Sequence, residues 1–174
     1  MKTEQVNVYK FSELSKEVQE KIINNCREIN TDYDWYDCDF EGFKEELLKI
    51  GVSCEGFNFD LYNRDFSMNK PHIDDLRKFL LSALTDSQKL LIEVDEDEKA
   101  EFEKEVNRLE EEYVEGLDEI GNILGIDYDE YLKDILRGFL KSLQESYDYL
   151  CSDEAIKDTI EANEYEFLES GERW

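Results

Sequence analysis

The chain has 174 residues, and 46 acidic against 20 basic side chains leave it a formal net charge of −26. That balance excludes direct binding to free nucleic acid and opposes docking on anionic membranes, because both carry the same sign. Hydrophobic residues make up 40% and aromatics 13%, too rich a mixture for a disordered acidic tail, so an ordered domain with a real core is expected.

No run of eighteen apolar residues occurs, and the opening MKTEQVNVYKF lacks the apolar stretch of a secretory signal, so a cytoplasmic location is expected. Cys26, Cys38, Cys54 and Cys151 are irregularly spaced with no CxxC pair, and in that compartment they read as thiols. His72 is the single histidine, so neither zinc nor any other cofactor is implied.

In chain order, Val6 to Phe11 alternates as a short strand, and Ser12 offers an N-cap. Leu14, Val18, Ile22, Cys26 and Ile29 follow at helical spacing. Thr31 to Asp39 is polar and aromatic, a loop or a helix start. Phe40, Phe43, Leu47, Leu48 and Ile50 then form an apolar stripe closed by Gly51 as C-cap. Cys54 to Met68 predicts a hairpin, with Phe57, Phe59 and Leu61 in one arm, Phe66 and Met68 in the other, and Asn63-Arg64 near the turn. Pro71 suits the first turn of a helix running through Ile73, Leu76, Phe79, Leu80 and Leu84. Thr85 to Gln88 has the capping-box form before the apolar run Leu90 to Ile92.

Phe102, Val106, Leu109, Tyr113, Leu117, Ile120 and Leu124 then step by threes and fours, so the most acidic segment is predicted to be a helix with one buried face. Gly125-Ile126 ends it, and Asp127 to Glu130 caps the next. Tyr131, Leu132, Ile135, Leu136, Phe139, Leu140, Leu143 and Tyr147 build a broad apolar face, predicted to pack on the acidic helix as an antiparallel hairpin. Ser152 caps a last helix through Ile156 and Ile160, and Glu164 to Leu168 reads as a closing strand before the Ser170-Gly171 turn. The predicted class is α+β: one domain over residues 1–174, a small antiparallel sheet from the two ends and the middle hairpin, and covering helices. A long acidic helical hairpin, about 95–150, precedes the closing strand near 164–168.

No enzyme motif stands out: GxSxG, P-loop and GxGxxG patterns are missing, and chance supplies Glu101 to Lys104 as a partial nuclease pattern in so acidic a chain. Asp32, Asp34, Asp37, Asp39 and Glu41 resemble a calcium loop, but Tyr36 stands at the fifth position and Asp37 at the sixth. A second such start at Asp95 and Asp97 meets Lys99 at its fifth position. A designed metal site and catalytic residues are therefore not expected.

Binding chemistry is better supported. From Glu93 to Glu119 fourteen acidic residues face three basic ones, a net charge of −11. Along about 40 Å of helix that is one charge per roughly 3.7 Å, close to the ~3.4 Å of a nucleic-acid strand. Asp95, Glu96, Asp97, Glu98, Glu101, Glu105, Glu110, Glu111, Glu112 and Glu115 are the candidate contacts. Asp32, Asp34, Trp35 and Asp37, in the aromatic-acidic stretch DYDWYDCDF, form a second candidate patch.

VYKFSELSKEVQEKIINNCREIN, DYDWYDCDFEGFKEELLKIGV and the closing IEANEYEFLESGERW resemble a recurrent group of small proteins encoded by phages and prophages. In that group an opening strand leads into a "FxELS…A" helix, an aromatic-acidic segment and a hairpin, and the chain ends in a form like "EANEYEFxxxG". The resemblance covers both ends and the first third of the chain and is weak from Glu93 to Asp153. It implies a mobile-element setting inside an infected bacterial host and assigns no functional residue. Small acidic phage proteins of this kind often look like counter-defence factors. The leading expectation is a non-enzymatic anti-CRISPR-type inhibitor that mimics nucleic acid. Its partner would be a basic nucleic-acid-binding host protein, foremost a Cas effector such as Cas9 with guide RNA. The alternatives are a phage accessory or scaffold protein whose charge serves solubility, and then a metal-dependent enzyme. Homodimerisation is compatible with all three.

Overall fold

The computed structural model describes residues 6–112 and 128–174. The chain divides into two compact units, one formed by Met1–Asp37 with Leu143–Trp174 and the other by Cys38–Ser142.

In the first unit the two ends of the chain pair. Strand β1 (Tyr9–Lys10) runs antiparallel to β6 (Glu166–Phe167), with Tyr9 opposite Phe167. The strand is shorter than Val6 to Phe11 because Phe11 turns into a 3-10 turn, Phe11–Glu13, where the Glu13 carboxylate accepts from the Lys10 N–H at 2.7 Å. Ser12 falls inside that turn. Ser15, not Ser12, therefore caps α1 (Lys16–Asn25), its Oγ accepting from Val18 N–H. Helix α7 (Asp153–Ala162) starts from the expected cap, Ser152 Oγ accepting from Ala155 N–H at 3.2 Å.

Phe11, Leu14, Ile22, Ile156, Ile160 and Phe167 form the core of this unit. Beside it lies the buried amide of Asn30. Its Nδ2 donates to the Leu150 carbonyl at 2.9 Å, and its Oδ1 accepts from Thr159 Oγ1 at 2.7 Å. Both ends of the amide are satisfied, which burial demands. Arg27 donates to the Cys151 carbonyl and pairs with Asp153 at 2.5 Å.

The second unit holds most of α2 (Asp37–Lys49), whose end is set by Gly51 at φ +78°. The Gly51 carbonyl then accepts from the N–H groups of Asp74 and Asp75, which holds that later segment extended. Pro71 consequently does not open a helix. It precedes β5 (His72–Ile73), which pairs antiparallel with β2 (Val52–Ser53). Helix α3 (Leu76–Ala83) begins only after Asp75, whose carboxylate accepts from Lys78 N–H at 2.9 Å.

The middle hairpin forms, with Leu61 in the turn rather than in the first arm where it was expected. Strands β3 (Gly56–Asp60) and β4 (Asp65–Asn69) set Phe57 opposite Met68 and Phe59 opposite Phe66. The three ladders are separate two-stranded sheets rather than the one small sheet expected, and the class is α+β.

Helix α4 (Asp86–Val94) starts from the Thr85–Gln88 capping box. Helices α5 (Glu96–Glu112) and α6 (Tyr128–Leu150) follow; α6 continues past Ser142 into the residues of the first unit. Phe102 and Val106 of α5 and Leu132 of α6 share a core with Leu47, Val52, Phe79, Leu80 and Leu84. Phe43 stacks on Phe139 at 4.4 Å among Phe40, Phe57 and Phe66. Of the predicted acidic stripe, Tyr113, Leu117, Ile120 and Leu124 lie outside the described residues, as does the Gly125-Ile126 stop. Among the described residues no helix is long and apolar enough to cross a membrane.

A methyl group at Gly51 would sit 2.3 Å from the Asp75 carbonyl oxygen and would be strained by the positive φ as well. Gly51→Ala is therefore expected to lower stability by about 2 kcal/mol or more. Gly42, inside α2, supplies the control, because a methyl added there would meet nothing within 4 Å. Gly42→Ala should raise stability by about 0.5–1 kcal/mol. Urea unfolding of the two variants checks both signs.

Candidate partner-binding surface

The acidity at the start of helix α5 has a local cause. At its start Asp95 acts as cap, Oδ1 accepting from Asp97 N–H at 2.9 Å and Glu98 N–H at 3.3 Å. Glu96, Asp97 and Glu98 fill the first turn, where the exposed N–H groups and the helix dipole favour negative charge. Four of the candidate contacts thus serve the helix that carries them. All four are also exposed, as is Glu101 one turn further on. Lys99 lies 4.0 Å from Glu96 and neutralises that turn weakly.

Further along, cations enter the outward side. At 3.6 residues per turn, Asp97, Glu101, Lys104 and Arg108 fall on one side of α5, opposite the buried Phe102 and Val106. That outward side runs acid, acid, base, base. Glu103 is consumed within the unit by a two-pronged contact with Arg77, which holds its carboxyl below the usual range. Among the described side chains, the exposed carboxylates cluster at the α4–α5 junction, Glu93 to Glu101. Glu105, Glu110, Glu111 and Glu112 belong to the α5 backbone but their side chains lie outside the described residues, and Glu115 lies wholly outside.

The second candidate patch belongs to the other unit up to Asp37, the first residue of α2. Asp32, Asp34 and Asp37 are exposed there. Trp35 is half-buried, with its ring 5.5 Å from Tyr147 and 5.7 Å from Tyr36. Tyr36 Oη donates to Asp34 at 3.0 Å, and this bond to an anion pushes the phenol's pKa up. The tryptophan is thus a packing residue at the edge of three exposed carboxylates, and the fully displayed aromatic is Tyr33.

His72 is exposed, its Nδ1 2.9 Å from Asp74, whose carboxyl is held low first by Ser53 and then by His72. No group of three metal-ligating side chains occurs among the described residues. Two features went unread in the sequence. Tyr62 stands 95% exposed at the hairpin tip, over a turn built by Asp60, which accepts from Tyr62 N–H, Asn63 N–H and Asn63 Nδ2. Leu90 and Leu91 of the predicted apolar run, and Val94 after them, are exposed on α4.

No family model, curated protein or solved structure matches this chain.

The Arg77 contact gives a pH signature. A native carboxyl with a lowered pKa contributes stability above its unfolded value of 4.5, and that contribution is lost as pH falls through the lower native value. Glu103→Gln is expected to be less stable than the parent at neutral pH, with the gap closing below pH 4.5. Urea midpoints measured across that range check it.

Proposed function

We propose that this protein is a non-enzymatic inhibitor that binds a basic nucleic-acid-binding groove of a partner protein through acidic surface. One observation carries the reading: Asp95, Glu96, Asp97, Glu98 and Glu101 are all exposed on a rigidly capped helix start. A formed helix start presents these carboxylates without the cost of ordering the backbone that carries them, and counterions released from the groove add to the binding. The phage-like ends of the chain make a Cas effector the first partner to test, as a counter-defence target. Mimicry in this form starts from the exposed carboxylates of the α4–α5 junction, Glu93 to Glu101.

A second reading is an assembly or accessory protein of a phage, in which charge maintains solubility. It is favoured by the exposed apolar side chains of α4.

Pull-down against Cas9, with and without guide RNA, and against a set of other basic nucleic-acid-binding proteins tests the first reading. Binding is expected at low salt and should weaken at least ~tenfold as salt rises to ~0.5 M. Replacing Asp97, Glu98 and Glu101 together by Lys should remove it. A chain that binds none of these proteins at low salt, or binds them regardless of that reversal, is not an acidic mimic.

A further inference from the structure

Helix α4 carries an apolar arc where a solvated helix would carry charge. Leu90, Leu91 and Val94 are 58%, 47% and 71% exposed. At 3.6 residues per turn they lie within one arc of about 100°, and Ile92, which packs on the core, points the other way. The helix is fully capped by Thr85 and Gln88, so the arc is presented by a formed element rather than by a fraying end. Isolated exposed leucines need no explanation, but three adjoining apolar side chains on one helix face mark a contact surface.

What surrounds the arc says which contact. Asp86 and Glu93 flank one edge of it at helical spacing, and Asp95, the extended C-cap, follows Val94 at its end; all three are exposed. Beyond Val94 the chain runs directly into the exposed carboxylates Glu96, Asp97 and Glu98. Lys89, the cation of this helix, lies on the half-buried side. The face therefore offers an apolar strip with acidic margins. A second copy of this chain would bring acidic margins against acidic margins. A purely basic groove would leave the leucines without partners.

We infer that α4 and the start of α5 form a docking surface for a basic amphipathic helical segment of a partner protein. Apolar side chains of that segment cover Leu90, Leu91 and Val94, while its lysines and arginines meet Asp86, Glu93 and Asp95. The inference rests on the reading of the acidic surface as partner-facing and adds a second requirement: the partner must present apolar side chains among its cations. Acidic residues then set the encounter rate and orientation, and the apolar arc sets the residence time.

A synthetic peptide with Leu at helical spacing and Lys elsewhere, and its scrambled isomer of identical charge, are the probes. Titrated with fluorescence anisotropy at about 0.15 M salt, the full chain should bind the amphipathic peptide at least ~tenfold more tightly than the scrambled one, a preference of about 1.4 kcal/mol. The triple variant Leu90→Ser, Leu91→Ser, Val94→Ser alters exposed positions only, and circular dichroism verifies its fold. It should lose the preference while retaining the weak binding of the scrambled peptide. Equal binding of both peptides, or a preference that survives the triple variant, overturns the docking surface. Where both peptides bind the parent equally and reversal of Asp97, Glu98 and Glu101 to Lys abolishes that binding, the acidic-surface reading stands without the docking surface. Sedimentation of the parent as a dimer and of the triple variant as a monomer would assign the arc to a second copy and overturn the inference.

Discussion

Burial of Phe102 and Val106 is the contact on which the acidic half of this molecule depends. Helix α5 carries more like charge than its own propensity can offset, and the repulsion of its carboxylates favours an unfolded chain. Two apolar side chains sunk among Leu47, Phe79, Leu80 and Leu132 hold it in place. Full burial of each contributes about 1.5–3 kcal/mol. Arg77 helps by covering Glu103, and Asp95 by satisfying two N–H groups at the helix start. The remaining carboxylates can then face outward because the fold no longer needs them neutralised.

A second constraint acts at Gly51. One carbonyl accepts from two successive N–H groups, Asp74 and Asp75, while the residue itself sits in the left-handed region. That arrangement ends α2, admits the β2–β5 ladder and delays α3 to Leu76. It also explains the misplaced proline. Pro71 carries a helix-start signal that is local, whereas the bonds that keep Asp74 and Asp75 extended come from Gly51, far earlier in the chain, which no local pattern records.

The same distinction separates what was legible from what was not. The Thr85–Gln88 and Ser152 caps, the Phe57–Phe66 hairpin and the burial of Phe102 and Val106 rest on signals three or four residues apart, or two in a strand. Ser12 was the expected cap of the first helix, and the cap moves to Ser15 because Phe11 turns inward against Phe167, at the other end of the chain. The two-residue strands β1, β2, β5 and β6 are too short to show an alternation. They exist because distant segments meet, so their grouping into three ladders could not be read beforehand.

For the binding surface, total charge was legible and its distribution was not. A count over Glu93 to Glu119 treats every carboxylate as equivalent, yet helical phase places Lys104 and Arg108 on the same outward side as Asp97 and Glu101. Arg77 withdraws Glu103 from across the unit. Among the described side chains, the exposed carboxylates from Glu93 to Glu101 adjoin the exposed leucines of α4. A count of charge records the first and is blind to the second, so charge density by itself is an incomplete description of this surface.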